Sequence, residues 1–324
     1  MTGGIMKKIT TGFMIAVIGI VILFLAGPRD QIDMQLKTIS LPENLDRYLA
    51  LSEAKFHDIV PGTEKIIVWA NATKTKTPLS IVYLHGFSAT RRETAPLSDE
   101  VAARLGANLY YTRLSGHGRT GASLAASTVN DWLNDTAEAL EIGKRLGDRV
   151  IVIGTSNGGT LATWLAEQPN TREVLAYVLI SPNFGPREPN SEILTWPWAR
   201  QFVSLLVGPE FSWTPLNAQQ DKYWTHRYPS TALVTVMSLV KYVRESDLAS
   251  IKKPVLVVYS PNDRVVNAKE VERRYAQFGS SLKELKPIYQ CGYPINHVLA
   301  GDILARCNTR NVEEIILDFI SKLR

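Results

Sequence analysis

Short runs of β-branched and aromatic residues alternate with longer amphipathic stretches along most of the chain, and the alternation predicts strands and helices in turn. Residues 66–69, 79–84, 108–112, 150–153, 176–181, 255–259 and 282–289 read as strands, and a further strand-like run from Phe56 precedes the turn Pro61-Gly62. Several of these runs are apolar at successive positions, the pattern of strands buried on both faces of a parallel sheet. Residues 96–105, 130–146, 159–166 and 268–278 read as helices, stopped by Gly106, Gly147, Pro169 and Gly279. At the end of the chain, Val312, Ile315, Ile316, Phe319, Ile320 and Leu323 share one face of an amphipathic helix. The rhythm predicts an α/β fold, interrupted only over residues 183–251.

Residues 9–26 depart from this pattern: they are uncharged, mostly apolar, and follow Lys7 and Lys8. A secretory signal needs small residues just before its cleavage point, where Phe24 and Leu25 stand instead. The expectation is therefore an uncleaved membrane anchor within residues 1–27, although its length only just reaches the roughly 18 apolar residues required. Lys7 and Lys8 then stay cytoplasmic and the remainder is exported to the periplasmic or extracellular side, or secreted if the segment is cleaved. Residues 28–51, with Pro28 and Pro42, read as a linker with room for a short helix, and residues 52–324 as the folded domain.

Composition changes the picture little. With 324 residues, 45% of them hydrophobic and 21% charged, the chain is globular and buries a substantial core. The net charge of +5 is spread without a basic stripe interleaved with aromatics, so nucleic acid is not an expected partner.

The chemistry centres on Gly154-Thr155-Ser156-Asn157-Gly158, which matches G-x-S-x-G with an apolar strand before it and helix formers after it. A serine hydroxyl is a weak nucleophile and must be held out of the sheet where a base can reach it. A sharp strand-to-helix turn does this, and glycine two positions either side avoids collisions within the turn. The turn also sets the amide of Asn157 at a helix N-terminus, where it can stabilise an oxyanion. Strand 79–84 runs into His85-Gly86-Phe87, the place where α/β-hydrolases keep the other half of the oxyanion hole, here the amide of Phe87. Arg91, Arg92 and Glu93 then read as a solvated loop, with contact to a polar substrate group as the alternative. Residues 114–119 form a glycine-rich loop, but no Lys-Ser or Lys-Thr follows to make it a phosphate cradle.

A base must be found among five histidines. In the order serine, acid, histidine, only His297 follows both Ser156 and a carboxylate at a strand end, Asp263. Glu270 lies on a predicted helix and Asp302 too close to His297. In this scheme His297 takes the proton of Ser156 as it attacks a carbonyl, and Asp263 orients the imidazole. No metal or organic cofactor is called for.

Together His85-Gly86-Phe87, residues 114–118, Gly154-Thr155-Ser156-Asn157-Gly158, residues 262–266 and Asn296-His297 resemble the α/β-hydrolase superfamily. The resemblance is to its carboxylesterase, monoacylglycerol lipase and serine-aminopeptidase-like branch, and covers about residue 56 to the C-terminus. It implies an eight-stranded, mostly parallel sheet flanked by helices, with a helical lid inserted late. The lid falls on residues 183–251, which hold Trp196, Trp198, Trp213 and Trp224, candidates for an apolar substrate pocket. The expected activity is hydrolysis of a small-molecule carboxylic ester with an apolar part. A peptidase or amidase with the same triad, and a non-catalytic binding protein, are the alternatives. Cys291 and Cys307 flank His297 and either close a disulfide loop of about 15 residues or remain thiols.

Overall fold

Strands that are apolar at every position have no face to give to water, and here they assemble into one sheet covered on both sides. The computed structural model describes residues 2–289 and 294–323. The chain runs through α1 (Thr2–Leu25), α2 (Leu45–Glu53), β1 (Ile66–Val68), β2 (Thr77–Leu84), α3 (Leu97–Leu105) and β3 (Asn108–Tyr111). It continues through α4 (Gly121–Ala126), α5 (Val129–Leu146), β4 (Gly147–Thr155), α6 (Asn157–Ala166) and β5 (Val174–Ile180). After a 3₁₀ turn, Pro189–Thr195, come α7 (Ala199–Val207), β6 (Glu210–Ser212), α8 (Ala218–Tyr223), β7 (Arg227–Pro229) and α9 (Thr231–Arg244). The last elements are β8 (Val255–Tyr259), α10 (Ala268–Gln277), β9 (Lys283–Pro287) and α11 (Arg306–Ser321).

The main sheet has the order β1-β3-β2-β4-β5-β8-β9. Only β1 is antiparallel to its neighbour; every other pairing is parallel. One face packs α5 and α6 against β2, β4 and β5, with α9 laid over α6 and α5 and with Trp132 and Trp164 fully buried there. The other packs α3 and α11, and the predicted stripe of α11 supplies Val312, Ile316, Phe319 and Ile320 to that core. A Thr128–Asp131 capping box starts α5, and Gly106, left-handed at φ 62°, ends α3.

Two expectations need correction. The sheet has seven strands among the described residues rather than eight: the run from Phe56 forms no strand, its backbone being tied to the glycine-rich loop through Val60 N to Gly118 O (2.8 Å). The short helix allowed for in the 28–51 segment is α2, which places Leu45 and Leu49 in the main core. The membrane anchor is not supported, since no helix among the described residues is long and apolar enough to cross a membrane. Residues 2–25 are helical, but Lys7 and Lys8 lie inside that helix. The uncharged part beyond them spans only about 26 Å at 1.5 Å per residue, short of a hydrocarbon core of about 30 Å.

Candidate active site

β2, β4, β8 and β9 all deliver their following loops to one rim of the sheet, outside the carboxyl ends of the strands, where open α/β sheets bind ligands. Residues far apart in sequence meet there for that reason.

β4 ends and α6 begins on either side of Ser156, with no residue to spare. Ser156 takes φ 54° and ψ −117°, a backbone conformation that costs of order 1–3 kcal/mol outside glycine. Hydrogen bonds hold it: Ser156 N donates to Ile180 O at 2.9 Å, and Asn183 N donates to Ser156 O at 3.1 Å. Room is the second requirement. A Cβ on Gly158 would lie 2.0 Å from Leu84 O, and one on Gly154 would lie 2.3 Å from Gly158 O, both backbone atoms that cannot step aside. Gly158→Ala is therefore expected to destabilise the fold by at least about 3 kcal/mol, read as a lowered urea midpoint. An unchanged midpoint would mean that the turn is looser than described.

The loop after β9 brings His297 to Ser156. Nε2 of His297 lies 2.9 Å from Ser156 Oγ, and its Nδ1 lies 2.8 Å from Asp263 Oδ2. The second oxygen of Asp263 accepts from the amides of Val265 (2.7 Å) and Val266 (2.9 Å), which locks the carboxylate plane. Burial pushes the His297 imidazole down, but the adjoining Asp263 charge and hydrogen bond outweigh this, and its pKa is raised above the ordinary 6.5. Two further residues, which pattern alone did not single out, position the pair: Ser181 Oγ donates to His297 O (2.7 Å), and Arg187 Nη1 donates to Asp263 O (3.0 Å). A serine closing an apolar strand and an arginine in a loop carry no sequence signal of such roles.

The amides of Phe87 and Asn157 have no backbone acceptor among the described residues and stand beside the serine turn. A Cβ on Gly86 would sit 3.1 Å from Ser156 Cβ, so the backbone leading to Phe87 passes directly against Ser156. Histidine 85 is structural, as expected from its place in the chain. Its Nε2 accepts from Leu114 N (3.0 Å), which leaves Nδ1 to donate to Gly86 O (3.0 Å), and burial lowers its pKa to about 4.

The four tryptophans separate. Trp213 and Trp224 pack in a cluster with Ala89, Ile295 and Val298, next to the oxyanion and histidine loops. Trp196 and Trp198 do not join them. Trp196 meets Phe24 edge-on at 6.0 Å and lines a cavity of about 300 Å³ with Arg29, Asp30 and Tyr242, and Trp198 Nε1 donates to Phe24 O (3.2 Å). Both are taken up by contacts with the end of α1 and the segment after it. Nor is Glu93 a solvated loop residue: it is 2% exposed and its Oε2 accepts from Gly86 N at 2.8 Å. The disulfide question turns on Cys291, which lies outside the described residues.

A family model described as serine aminopeptidase, S33, matches residues 75–293, about two thirds of the chain. A thermostable monoacylglycerol lipase of Bacillus sp. (strain H-257) is 33% identical over 90 residues, which is 28% of this chain and 36% of the relative. That match therefore spans about a third of the lipase. Among solved structures, one from work on the metagenome-derived lipolytic enzymes LipS and LipT superposes with a TM-score of 0.67 at 25% identity, over 82% of this chain and 99% of that one. A soluble variant of monoglyceride lipase from Saccharomyces cerevisiae, in complex with a substrate analog, superposes with a TM-score of 0.63 at 14% identity, over 80% and 91%. At that identity the likeness concerns the fold.

Proposed function

The chain belongs to the serine aminopeptidase S33 family of α/β-hydrolases, and on that premise we propose that it hydrolyses carboxylic esters through an acyl-enzyme on Ser156. The observation that carries the reading is the unbroken chain from Ser156 Oγ through His297 to Asp263, at 2.9 and 2.8 Å. His297 Nε2 takes the serine proton as Oγ attacks the carbonyl carbon, and Asp263 stabilises the imidazolium. The amides of Phe87 and Asn157 receive the developing oxyanion. The imidazolium then protonates the leaving alcohol, and water, deprotonated by His297, releases the acid.

An ester with an apolar part is favoured over a peptide for two reasons. The similar Bacillus protein is a monoacylglycerol lipase, and Trp213 and Trp224 place apolar surface beside the His297 loop, with residues 183–251 acting as the lid. The family description itself supports the rival, an aminopeptidase. An aminopeptidase must bind a free ammonium with an accessible carboxylate, whereas Glu93, which borders this site, is buried and hydrogen-bonded to backbone.

The expected result with nitrophenyl esters of increasing acyl length is a clear optimum, and aryl esters should be cleaved at least about 100-fold faster than the matching arylamides, the discrimination that about 3 kcal/mol gives. Faster cleavage of an amino-acid arylamide would favour the peptidase. Failure of a fluorophosphonate to label the protein at all would favour a non-catalytic role.

A further inference from the structure

We propose that Glu93 is a second carboxylate of this site, a positioning residue that holds the oxyanion strand at Gly86 and places its ionised charge behind the Ser156–His297 pair. The inference rests on the hydrolase reading above and adds to it a residue outside the Ser-His-Asp set.

The geometry begins with the loop between β2 and α3. Glu93 N donates to Thr90 O (2.9 Å), turning the side chain inward, and its backbone is packed under the histidine loop. A Cβ on Gly301 there would lie 2.8 Å from Thr94 Cα and 3.0 Å from Glu93 O. The segment bearing the base and the segment bearing Glu93 are therefore seated on each other. Inside, Oε2 accepts from Gly86 N at 2.8 Å, and the hydroxyl of Tyr83 lies 3.3 Å away. Oε1 is 2.6 Å and Ser156 Cβ 3.1 Å from the point where a Gly86 Cβ would stand, so carboxylate and nucleophile border the same small space. Gly86 is the residue before Phe87, whose amide is read as an oxyanion donor. A hydrogen bond to the Gly86 amide fixes the peptide plane from which the next one is turned.

The charges around Glu93 can be followed element by element. From β2 comes Tyr83, a phenol whose pKa burial pushes well above 10, held by Thr94 Oγ1 (2.9 Å) and Thr155 Oγ1 (3.1 Å); it stays neutral. At the end of β2, His85 is neutral down to about pH 4. From the loop after β9 comes His297, the one cation that forms during the reaction, backed by Asp263. On the loop of Glu93 itself, Arg91 and Arg92 lie over the rings of Tyr111 (5.6 Å) and Tyr223 (5.1 Å). Burial raises the Glu93 carboxyl to about 7, while the Gly86 amide, His297 and Tyr83 pull the other way. A buried acid of this kind matters when a cation appears beside it: His297 favours ionised Glu93, and ionised Glu93 raises the pKa of His297.

The test is the pH dependence of kcat/KM on a nitrophenyl ester. In the wild-type protein two coupled groups, not one, should define the acid limb, giving two apparent pKa values. Glu93→Gln keeps a carbonyl oxygen for the Gly86 amide and removes the charge. The limb should collapse to a single ionisation, displaced to lower pH because His297 has lost an anion. The plateau kcat should fall about tenfold, because a weaker base assists the serine, with KM little changed. Glu93→Asp, which keeps the charge, should keep two ionisations. A wild-type limb fitted by one pKa would overturn the inference, and this measurement does not depend on whether any variant folds. So would a Glu93→Gln profile that superimposes on wild type. In either case, fluorophosphonate labelling of Ser156 would show that the hydrolase reading itself still stands; a wild-type protein that is never labelled would remove that reading instead.

Discussion

Ser156→Ala is expected to lower kcat by about 10⁶-fold while the protein still folds and still binds ester. In the proposed mechanism the lost Oγ forms the acyl bond, and it is the hydroxyl that lies 2.9 Å from His297 Nε2. The backbone that holds Ser156 in its unusual conformation uses main-chain bonds to Ile180 and from Asn183, which alanine retains. Stability should therefore change little. Some rate enhancement over water, about 10³-fold, should survive, because the Phe87 and Asn157 amides still polarise a bound carbonyl. His297→Ala should cost a similar factor, and the double variant little more than either alone, since both act in one proton transfer. Burst kinetics and fluorophosphonate labelling give the readout. A double variant whose losses multiplied would show that serine and histidine work independently.

Asp263→Asn should lower kcat by about 10⁴-fold, and the reason is specific to the hydrogen bonds around this carboxylate. Oδ1 accepts from the amides of both Val265 and Val266. An amide side chain at 263 must keep its oxygen on those two donors, so its NH₂ group is turned to His297 Nδ1, now 2.8 Å away on the Oδ2 side. That nitrogen must then accept, which moves the imidazole proton to Nε2, where it points at Ser156 and cannot take the serine proton. The defect is one of tautomer, not of fold. It should ease at high pH, where hydroxide rather than His297 supplies the base. A variant with near-normal kcat at neutral pH would mean that Asp263 does not set the tautomer.

How much of this was legible in the chain depends on the range of the interaction that encodes it. The strands were legible because an apolar run such as Val150 to Ile153 has only one way to escape water on both faces. The serine turn was legible because its constraint is local: Gly154 and Gly158 are required by atoms within the turn or immediately beside it. Asp263 and His297 were singled out from chain order, and the parallel strands β8 and β9 deliver their following loops to the same rim as Ser156.

The tryptophans, Glu93 and the first strand were decided elsewhere. Four indoles in one insertion looked alike, yet Trp213 and Trp224 fold toward the His297 loop while Trp196 and Trp198 are held by the end of α1. Glu93 looked like part of a charged surface loop because composition reports average solvation. Its burial depends on the turn from Thr90, on the Gly86 amide, and on the seating of its backbone against Gly301, in a loop some 200 residues later. The run at Phe56 had strand-forming residues but found Gly118 as its partner instead of a sheet edge. Local propensity and periodicity thus determined the elements and the turn that carries Ser156. Which side chains share the buried space with it was decided by contacts between distant loops, whose energies depend on distances that exist only after folding.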